Sequence, residues 1–483
     1  MGLAKLYEKD YMPIKFGTSG WRAIIADEFT KENVAKVATG IAGYLHSNGL
    51  AKKGVVIGYD TRFLSGEFAK TVADVLSKTG ISVLLSSRDV PTPVIAFYIV
   101  REKCAGGVNI TASHNPAYYS GIKFSSSYGG PAPVEVTSEI ETRITQQTYI
   151  SECATPSTVK QVEMGKAYIR HLHTVIDVSA IRKAHLKIGV DCLYGTARGY
   201  LDRFVEGSGC RATVIHSYPD PMFGGKRPEP DAESLFELCS IVKNKKLIAG
   251  LATDGDADRF GIVDRDGTLL TANQVICLVL EHLILTRLPK WRKKIKCVAR
   301  TLATTHMIDA IAQYNGLCVY ETPVGFKYIG ERLKQGDCIL GGEESGGLSI
   351  YKHLPEKDGI LANLLILEMI AIKRKSPKQI LQKLYKKYGT FLTKRVDIYL
   401  NPSYSFKVLE KLSGSDVREF AGKKVIKINR IDGVKILLED NSWAMFRVSG
   451  TEPVVRCYYE ADSKSGLQKL EQSGRLFIGG NNE

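Results

Sequence analysis

No apolar run in the chain is long enough to cross a bilayer; the best candidate, Val275 to Leu285, is broken by Glu281 and His282. The opening residues, Met1 to Leu6, lack the apolar core of a signal peptide and the Ser or Thr that a myristoylation site needs. The ten cysteines include no Cys-x-x-Cys pair, so neither a zinc site nor a disulfide framework is expected, and they read as buried thiols in a reducing cytoplasm. Aromatic residues are missing from the basic clusters at Lys243 to Lys246, Arg292 to Lys296, Lys373 to Lys378 and Lys386 to Lys387. That absence removes the stacking platform of a single-strand binder and leaves solvated faces as the plainer reading. The chain is therefore expected to be cytoplasmic, with no nucleic-acid and no membrane partner.

What is present describes a soluble globular protein: 483 residues, 44% hydrophobic and 24% charged, with a net charge of +15. That length suits several domains. The positive field favours anionic ligands without choosing among them.

Apolar β-branched runs alternate with helical patterns through most of the chain. Val55 to Tyr59 reads as a buried strand, with Val34, Val37, Ile41 and Leu45 at helical spacing before it and Phe68, Val72, Val75 and Leu76 after it. The rhythm returns at Lys187 to Asp191 and Leu247 to Ala252, and again at Lys296 to Arg300, Leu317 to Glu321 and Cys338 to Leu340. Such alternation predicts sheets that are largely parallel and covered by helices. After about residue 385 the pattern becomes a strand-rich meander, with Ile431-Asp432-Gly433-Val434 as a hairpin turn, closed by a helix from about Ser463. The expected fold class is α/β: three similar α/β domains (1–155, 156–267, 268–385) with mixed, largely parallel sheets, plus a C-terminal α+β domain (386–483).

Four loops carry chemistry. In Thr111-Ala112-Ser113-His114-Asn115-Pro116, followed by Gly121-Ile122-Lys123, the serine follows a strand, where α/β proteins present ligands. It reads as nucleophile, phosphate carrier or turn former. A hydrolase triad fits poorly, because no Gly-x-Ser-x-Gly elbow is present and His114 points away from Ser113 in an extended chain. In Asp254-Gly255-Asp256-Ala257-Asp258-Arg259, alternate carboxylates converge on a hard cation. The EF-hand reading fails, since Arg259 and Arg265 occupy its glycine and glutamate positions, and magnesium remains. Gly341-Gly342-Glu343-Glu344-Ser345-Gly346-Gly347 offers acceptors and a hydroxyl for sugar hydroxyls, though alone it better suits an ordinary glycine-rich turn. Arg447-Val448-Ser449-Gly450-Thr451-Glu452-Pro453, with Arg456 beyond, offers a guanidinium, hydroxyls and backbone N–H groups to a phosphate.

In order and spacing these loops, with Lys15-Phe16-Gly17-Thr18-Ser19-Gly20-Trp21-Arg22 ahead of them, resemble the α-D-phosphohexomutase family from about residue 15 to about 456. The resemblance implies four domains around a central cleft and a phosphoryl group carried on Ser113. It implies Mg2+ held by Asp254, Asp256, Asp258 and the phosphoserine, and sugar hydroxyls gripped by Glu343 and Ser345. The phosphate that is not transferred is implied to lie on Arg447, Ser449, Gly450, Thr451 and Arg456. Arg22, His114, Lys123 and Arg259 are implied around the reacting phosphate, with Lys123 as general base or acid through a lowered pKa. His353 and Lys357 are read as proton donors on the sugar side. The implied reaction interconverts hexose 1-phosphate and 6-phosphate through a 1,6-bisphosphate, with glucose 1,6-bisphosphate as activator. Small-molecule sugar phosphates are then the partners of a monomer or homodimer, whose cleft closes by movement of the C-terminal domain. Glu343-Glu344-Ser345 and the aromatic after Gly325, in Pro323-Val324-Gly325-Phe326-Lys327, are closer to the glucose type, with mannose phosphates next and glucosamine phosphate less favoured. A non-catalytic sugar-phosphate-binding protein is the rival reading, but such a protein is expected to lose Ser113 or an aspartate, and this chain keeps them all.

Overall fold

A computed structural model describes residues 14–17, 20–146, 153–399, 417–448 and 454–479. The chain forms three α/β units and a C-terminal unit with an antiparallel sheet. Strands Val55–Tyr59, Val83–Ser86, Gly106–Ile110 and Val159–Val162 are parallel in the first sheet. The second and third sheets have four strands each, and the fourth runs antiparallel from Leu392–Tyr399 through Val454–Ala461, Trp443–Val448 and Val434–Leu438 to Lys423–Asn429.

Each motif loop lies in sequence between two antiparallel neighbours. Gly106–Ile110 and Tyr119–Ser126 flank Ser113, and Ala249–Thr253 and Phe260–Asp264 flank the aspartates. Cys338–Glu343 and Gly347–Ile350 flank Ser345, and Trp443–Val448 and Val454–Ala461 flank the Arg447 loop. This repeated strand–loop–strand unit makes the first three sheets mixed rather than purely parallel, and in them it holds each loop at both ends.

The helix Gly359–Lys373 explains how the loops are brought together. Asp358 caps it by accepting from the Leu361 N–H at 2.8 Å. Its residues from Gly359 to Ala371 are buried on every side, the mark of a helix inside a core rather than on a surface. It packs on Ala249–Thr253 and Phe260–Asp264 of the second unit as well as on Gly347–Ile350 of its own. One hydrophobic cluster accordingly runs from Val56 through Leu251 and Ile262 to Leu365 and Ile370, whereas the C-terminal unit closes a separate core around Phe446, Tyr459 and Leu470.

One sequence expectation fails here. Cys297 and Cys338 are joined in a disulfide, 41 residues apart in sequence but register partners on adjacent parallel strands. A search for closely spaced cysteines is blind to a pair that only the sheet brings together. The other eight are free, and of these Cys153 and Cys318 are exposed rather than buried. Among the described residues no helix is long and apolar enough to cross a membrane.

Candidate active site

Ser113 sits at φ 53°, in the left-handed region, so the chain turns sharply at the serine. Its loop is held from below by Arg62, whose guanidinium donates to the carbonyls of Ser113 (2.8 Å), Asn115 (2.6 Å), Pro116 (2.6 Å) and Tyr119 (2.9 Å). Asp60 fixes that guanidinium through a buried ion pair at 3.0 Å. The sharp turn also corrects the expectation for His114: its Nδ1 lies 3.4 Å from the Ser113 Oγ rather than pointing away. Burial, reinforced by Arg259 and Arg22, pushes the imidazole well below its ordinary pKa, so it is neutral beside the serine.

The serine hydroxyl donates to Asp254 Oδ2 at 2.9 Å, and with that bond the first and second units meet. Asp254, Asp256 and Asp258 are each 1% exposed or less, and a carboxylate oxygen from each lies within 4.8 Å of the others. Burial opposes all three charges, and two ammonium groups offset it. Lys123 donates to Asp256 Oδ2 (2.6 Å) and Asp258 Oδ2 (3.1 Å), and Lys357 lies 3.0 Å from Asp258 Oδ2. Against that burial, Lys123 holds the Asp256 carboxyl below the usual range, and Lys123, Lys357 and Arg259 together do so for Asp258. Asp254 is pushed well above it by burial and by its two acidic neighbours.

A divalent cation fits this cluster. Asp256 Oδ1 and Asp258 Oδ1 are buried without a hydrogen-bond partner, and such oxygens are the hard donors that magnesium takes. Thr92 adds support by donating to Asp256 Oδ2 at 2.6 Å, itself held by Asn109 at 2.7 Å.

Lys123 departs from its expected character. Burial lowers its pKa, but Asp256 and Asp258 more than offset this and hold the ammonium above the ordinary lysine value, the reverse of what a general base requires. Arg22 is drawn in as well, donating to Asn115 Oδ1 at 2.7 Å, its pKa lowered to about 10 by burial and by Arg259. Arg259 donates its backbone N–H to Asp254 Oδ1 (2.9 Å) and its guanidinium to Glu229 (2.9 Å).

From the third unit, Ser345 donates to Glu343 Oε1 at 2.6 Å. Lys357 belongs to the aspartate cluster, but His353 is enclosed elsewhere, between His171 (3.0 Å) and Asp358 (2.8 Å). Tyr168 donates to the same Asp358 oxygen at 2.5 Å, so His353 fastens the helix cap rather than facing the aspartates. Gly325, at φ 131°, precedes the helix Phe326–Lys334, and the opening there is lined by Gly20, Lys123, Asp258, Phe326, Lys327 and Lys357. Arg447 and Arg456 are register partners on neighbouring strands of the fourth unit. Ser449, Gly450 and Thr451 lie outside the described residues.

The sequence did not single out Asp60, Arg62, Thr92, Glu229, Glu356 or Gly359. Asp60-Thr61-Arg62 carried a usable signal, since it directly follows a buried strand as the Ser113 loop does. Gly359 is required for close approach: a Cβ there would collide with the Arg259 carbonyl of the aspartate loop. Glu356 is buried beside the cluster and accepts from the Lys357 N–H at 2.9 Å; burial, opposed by Lys357 and aided by Asp258, pushes its carboxyl up to about 7. Between its usual 4.5 and about 7 the folded chain keeps a proton that the unfolded chain has lost. The Glu356 contribution to stability is therefore lost as pH rises through that window. Chemical denaturation across pH 4.5 to 8 is expected to show Glu356→Gln gaining on the wild type as pH rises, by at most about 3 kcal/mol. A constant difference would count against the raised carboxyl.

The chain matches all four parts of one family: phosphoglucomutase/phosphomannomutase alpha/beta/alpha domain I over residues 13–151, domain II over 166–267, domain III over 271–388, and the C-terminal domain over 406–474. It is 31% identical over 464 residues to a phosphoglucomutase/phosphomannomutase of Thermococcus kodakarensis, covering 95% of this chain and 97% of that one. A phosphoglucosamine/phosphogalactosamine mutase of Sulfurisphaera tokodaii is 28% identical, with 96% of this chain and 99% of that one covered. Among solved structures, a Thermus thermophilus protein described as a phosphomannomutase superposes with a TM-score of 0.83 at 32% identity, over 96% of this chain and 99% of that one. With its aspartate cluster, its serine loop and its four domains in this order, the chain is an isomerase of the phosphoglucomutase/phosphomannomutase family.

Proposed function

We propose that the protein interconverts hexose 1-phosphate and hexose 6-phosphate, glucose preferred, through a phosphoserine and a 1,6-bisphosphate intermediate. The observation that carries this reading is the Ser113 Oγ, 2.9 Å from Asp254 in a cluster of three carboxylates and two ammonium groups. Phosphoryl transfer needs positioning and neutralisation of charge more than covalent help from the protein, and this cluster supplies both.

In the first half, the phosphoryl group on Ser113 passes to the free hydroxyl of the bound monophosphate. The P–O bond to the serine breaks, a P–O bond to the sugar forms, and the hydroxyl proton leaves to a neighbouring base. The bisphosphate turns over in the cleft; the P–O bond from its other phosphoryl group to the sugar breaks, a P–O bond to Ser113 forms, and the serine proton passes to the released sugar oxygen. Asp254, Asp256, Asp258 and the serine phosphate would hold Mg2+, which would supply charge neutralisation on the transferring oxygens. Lys123 and Lys357 act as ammonium groups that hold the phosphate, and Arg22 and Arg259 flank it. Glu343 and Ser345 take sugar hydroxyls, and Arg447, with Ser449, Gly450, Thr451 and Arg456, takes the resting phosphate. Within this reading 1–155 carries the phosphoserine, 156–267 the metal, 268–385 the sugar and 386–483 the second phosphate.

A mutase acting on glucosamine phosphate is the second reading, favoured by the Sulfurisphaera relative. An amino sugar brings an ammonium group that needs a carboxylate. Glu344 is poorly suited, because burial raises its carboxyl and it already faces Arg395 at 4.0 Å. With Mg2+ and trace bisphosphate, kcat/KM for glucose 1-phosphate is expected to exceed that for mannose 1-phosphate and glucosamine 1-phosphate by at least about tenfold. A preference for either of the other two would keep the reaction and overturn the sugar.

A further inference from the structure

The turn Ile431-Asp432-Gly433-Val434 joins two strands of the C-terminal sheet, yet its aspartate serves neither strand. Asp432 Oδ1 accepts from Arg447 Nε at 2.8 Å, and Oδ2 accepts from the backbone N–H of Val324 at 2.9 Å. One carboxylate thus ties the arginine assigned to the resting phosphate to the loop Pro323–Gly325 of the third unit. That loop runs directly into Phe326 and Lys327, which line the opening beside Lys123 and Lys357. Resting on the function proposed above, we infer that Asp432 is a positioning residue that couples the seating of the non-transferred phosphate to the placement of the sugar-side wall of the cleft.

The geometry gives the coupling a physical basis. Binding at Nε fixes the plane of the guanidinium, and with it the direction of the terminal nitrogens that reach a phosphate. The second oxygen makes that orientation conditional on contact between the two units. The hairpin is held against the third unit by independent bonds: Asn429 donates to Glu321 at 3.0 Å, and the buried Lys435 donates to the Leu302 carbonyl at 2.7 Å and to Glu321 at 3.2 Å. Val324 also packs on the apolar cluster of Trp443, Met445 and Tyr458. Gly433, at φ 82°, lets the turn lie close on the Phe446 carbonyl, where a Cβ would collide. Removing the carboxylate therefore loosens the arginine and the loop without undoing the docking. An intermediate that must turn around inside the cleft depends on that grip, because its departure ends the cycle.

Asp432→Asn separates the two arms. The amide oxygen still accepts from Val324, but an amide N–H2 cannot accept from Arg447. The measurements are KM and kcat for glucose 1-phosphate, the concentration of glucose 1,6-bisphosphate giving half activation, and Kd for glucose 1-phosphate by calorimetry. They are made on wild type, Asp432→Asn, Arg447→Ala and the double variant, with thermal melting to verify folding. The expected result is a rise of about tenfold in KM, Kd and the bisphosphate requirement for Asp432→Asn, a fall in kcat of no more than about threefold, and no further effect in the Arg447→Ala background. Values of KM and Kd within twofold of wild type, or an undiminished effect in the Arg447→Ala background, overturn the coupling. Turnover absent in the wild type while Asp432→Asn still weakens binding overturns the proposed reaction and leaves the coupling standing. No binding of glucose 1-phosphate by the wild type overturns both.

Discussion

Ser113→Ala is expected to reduce turnover of glucose 1-phosphate by at least about a thousandfold while leaving the fold in place. The chemical loss is complete because alanine has no oxygen to carry the phosphoryl group. The structural loss is small because the side chain makes one protein bond of normal geometry, to Asp254. That bond contributes about 1 kcal/mol. The loop itself is built on backbone carbonyls that Arg62 collects, and these survive the substitution. Two measurements together test the assignment. After incubation with glucose 1,6-bisphosphate, the wild type gains the mass of one phosphoryl group and the variant gains none. Coupled formation of glucose 6-phosphate disappears in the variant, with its melting temperature nearly unchanged. A variant that keeps a tenth of the activity would transfer the role of carrier to another group and remove the basis of the proposed cycle.

What was legible in the sequence, and what was not, divides by whether the signal is continuous in the chain. Asp254, Asp256 and Asp258 stand in one run, so their convergence was readable before any fold was known. The strands entering the motif loops were visible as apolar runs; the runs Leu247 to Ala252 and Cys338 to Leu340 overlap the strands Ala249–Thr253 and Cys338–Glu343. The strands leaving the first three loops were not, although Val454–Ala461, which leaves the Arg447 loop, belonged to the strand-rich meander. Phe260–Asp264 and Gly347–Ile350 are short and buried on both faces, so they show none of the alternation that marks a half-exposed strand. Partners brought together only by the fold were equally hidden: Arg62 under the serine loop, Thr92 against Asp256, Cys297 beside Cys338. His114 was misjudged because an extended backbone was assumed where Ser113 turns left-handed. His353 lay near Lys357 in sequence, yet its ring packs on His171 and caps a helix through Asp358. Lys123 was assigned a lowered pKa from its role, whereas its two carboxylate neighbours set it higher.

Those same neighbours govern what happens when divalent metal is withdrawn. Three buried carboxylates packed within 4.8 Å would drive a chain apart if nothing balanced them. Here Lys123 and Lys357 already occupy one oxygen each of Asp256 and Asp258, and the Ser113 hydroxyl occupies one of Asp254. Chelation is therefore expected to abolish turnover, by at least about a hundredfold, without unfolding the protein, and added Mg2+ is expected to restore it. The oxygens left over, Asp256 Oδ1 and Asp258 Oδ1, have no other hydrogen-bond partner, so a cation is expected to bind the folded chain and not the unfolded one. At a hundred times its dissociation constant it adds about 2.7 kcal/mol of stability. Asp256→Asn should lose both responses: it gives up a cation ligand, and it leaves Lys123 buried with Asp258 as its remaining carboxylate. Thermal melts of wild type and variant, with chelator and with Mg2+, read the stability response, and the coupled assay reads the other. Full turnover in metal-free protein verified by elemental analysis would exclude a catalytic cation at this site. An equal rise in melting temperature for Asp256→Asn would place the cation elsewhere in the chain. A gain confined to the wild type, with turnover following it, ties the cation, the serine and the two lysines to one cluster, in which the lysines keep the carboxylates together and the cation would neutralise charge on the transferring phosphoryl group.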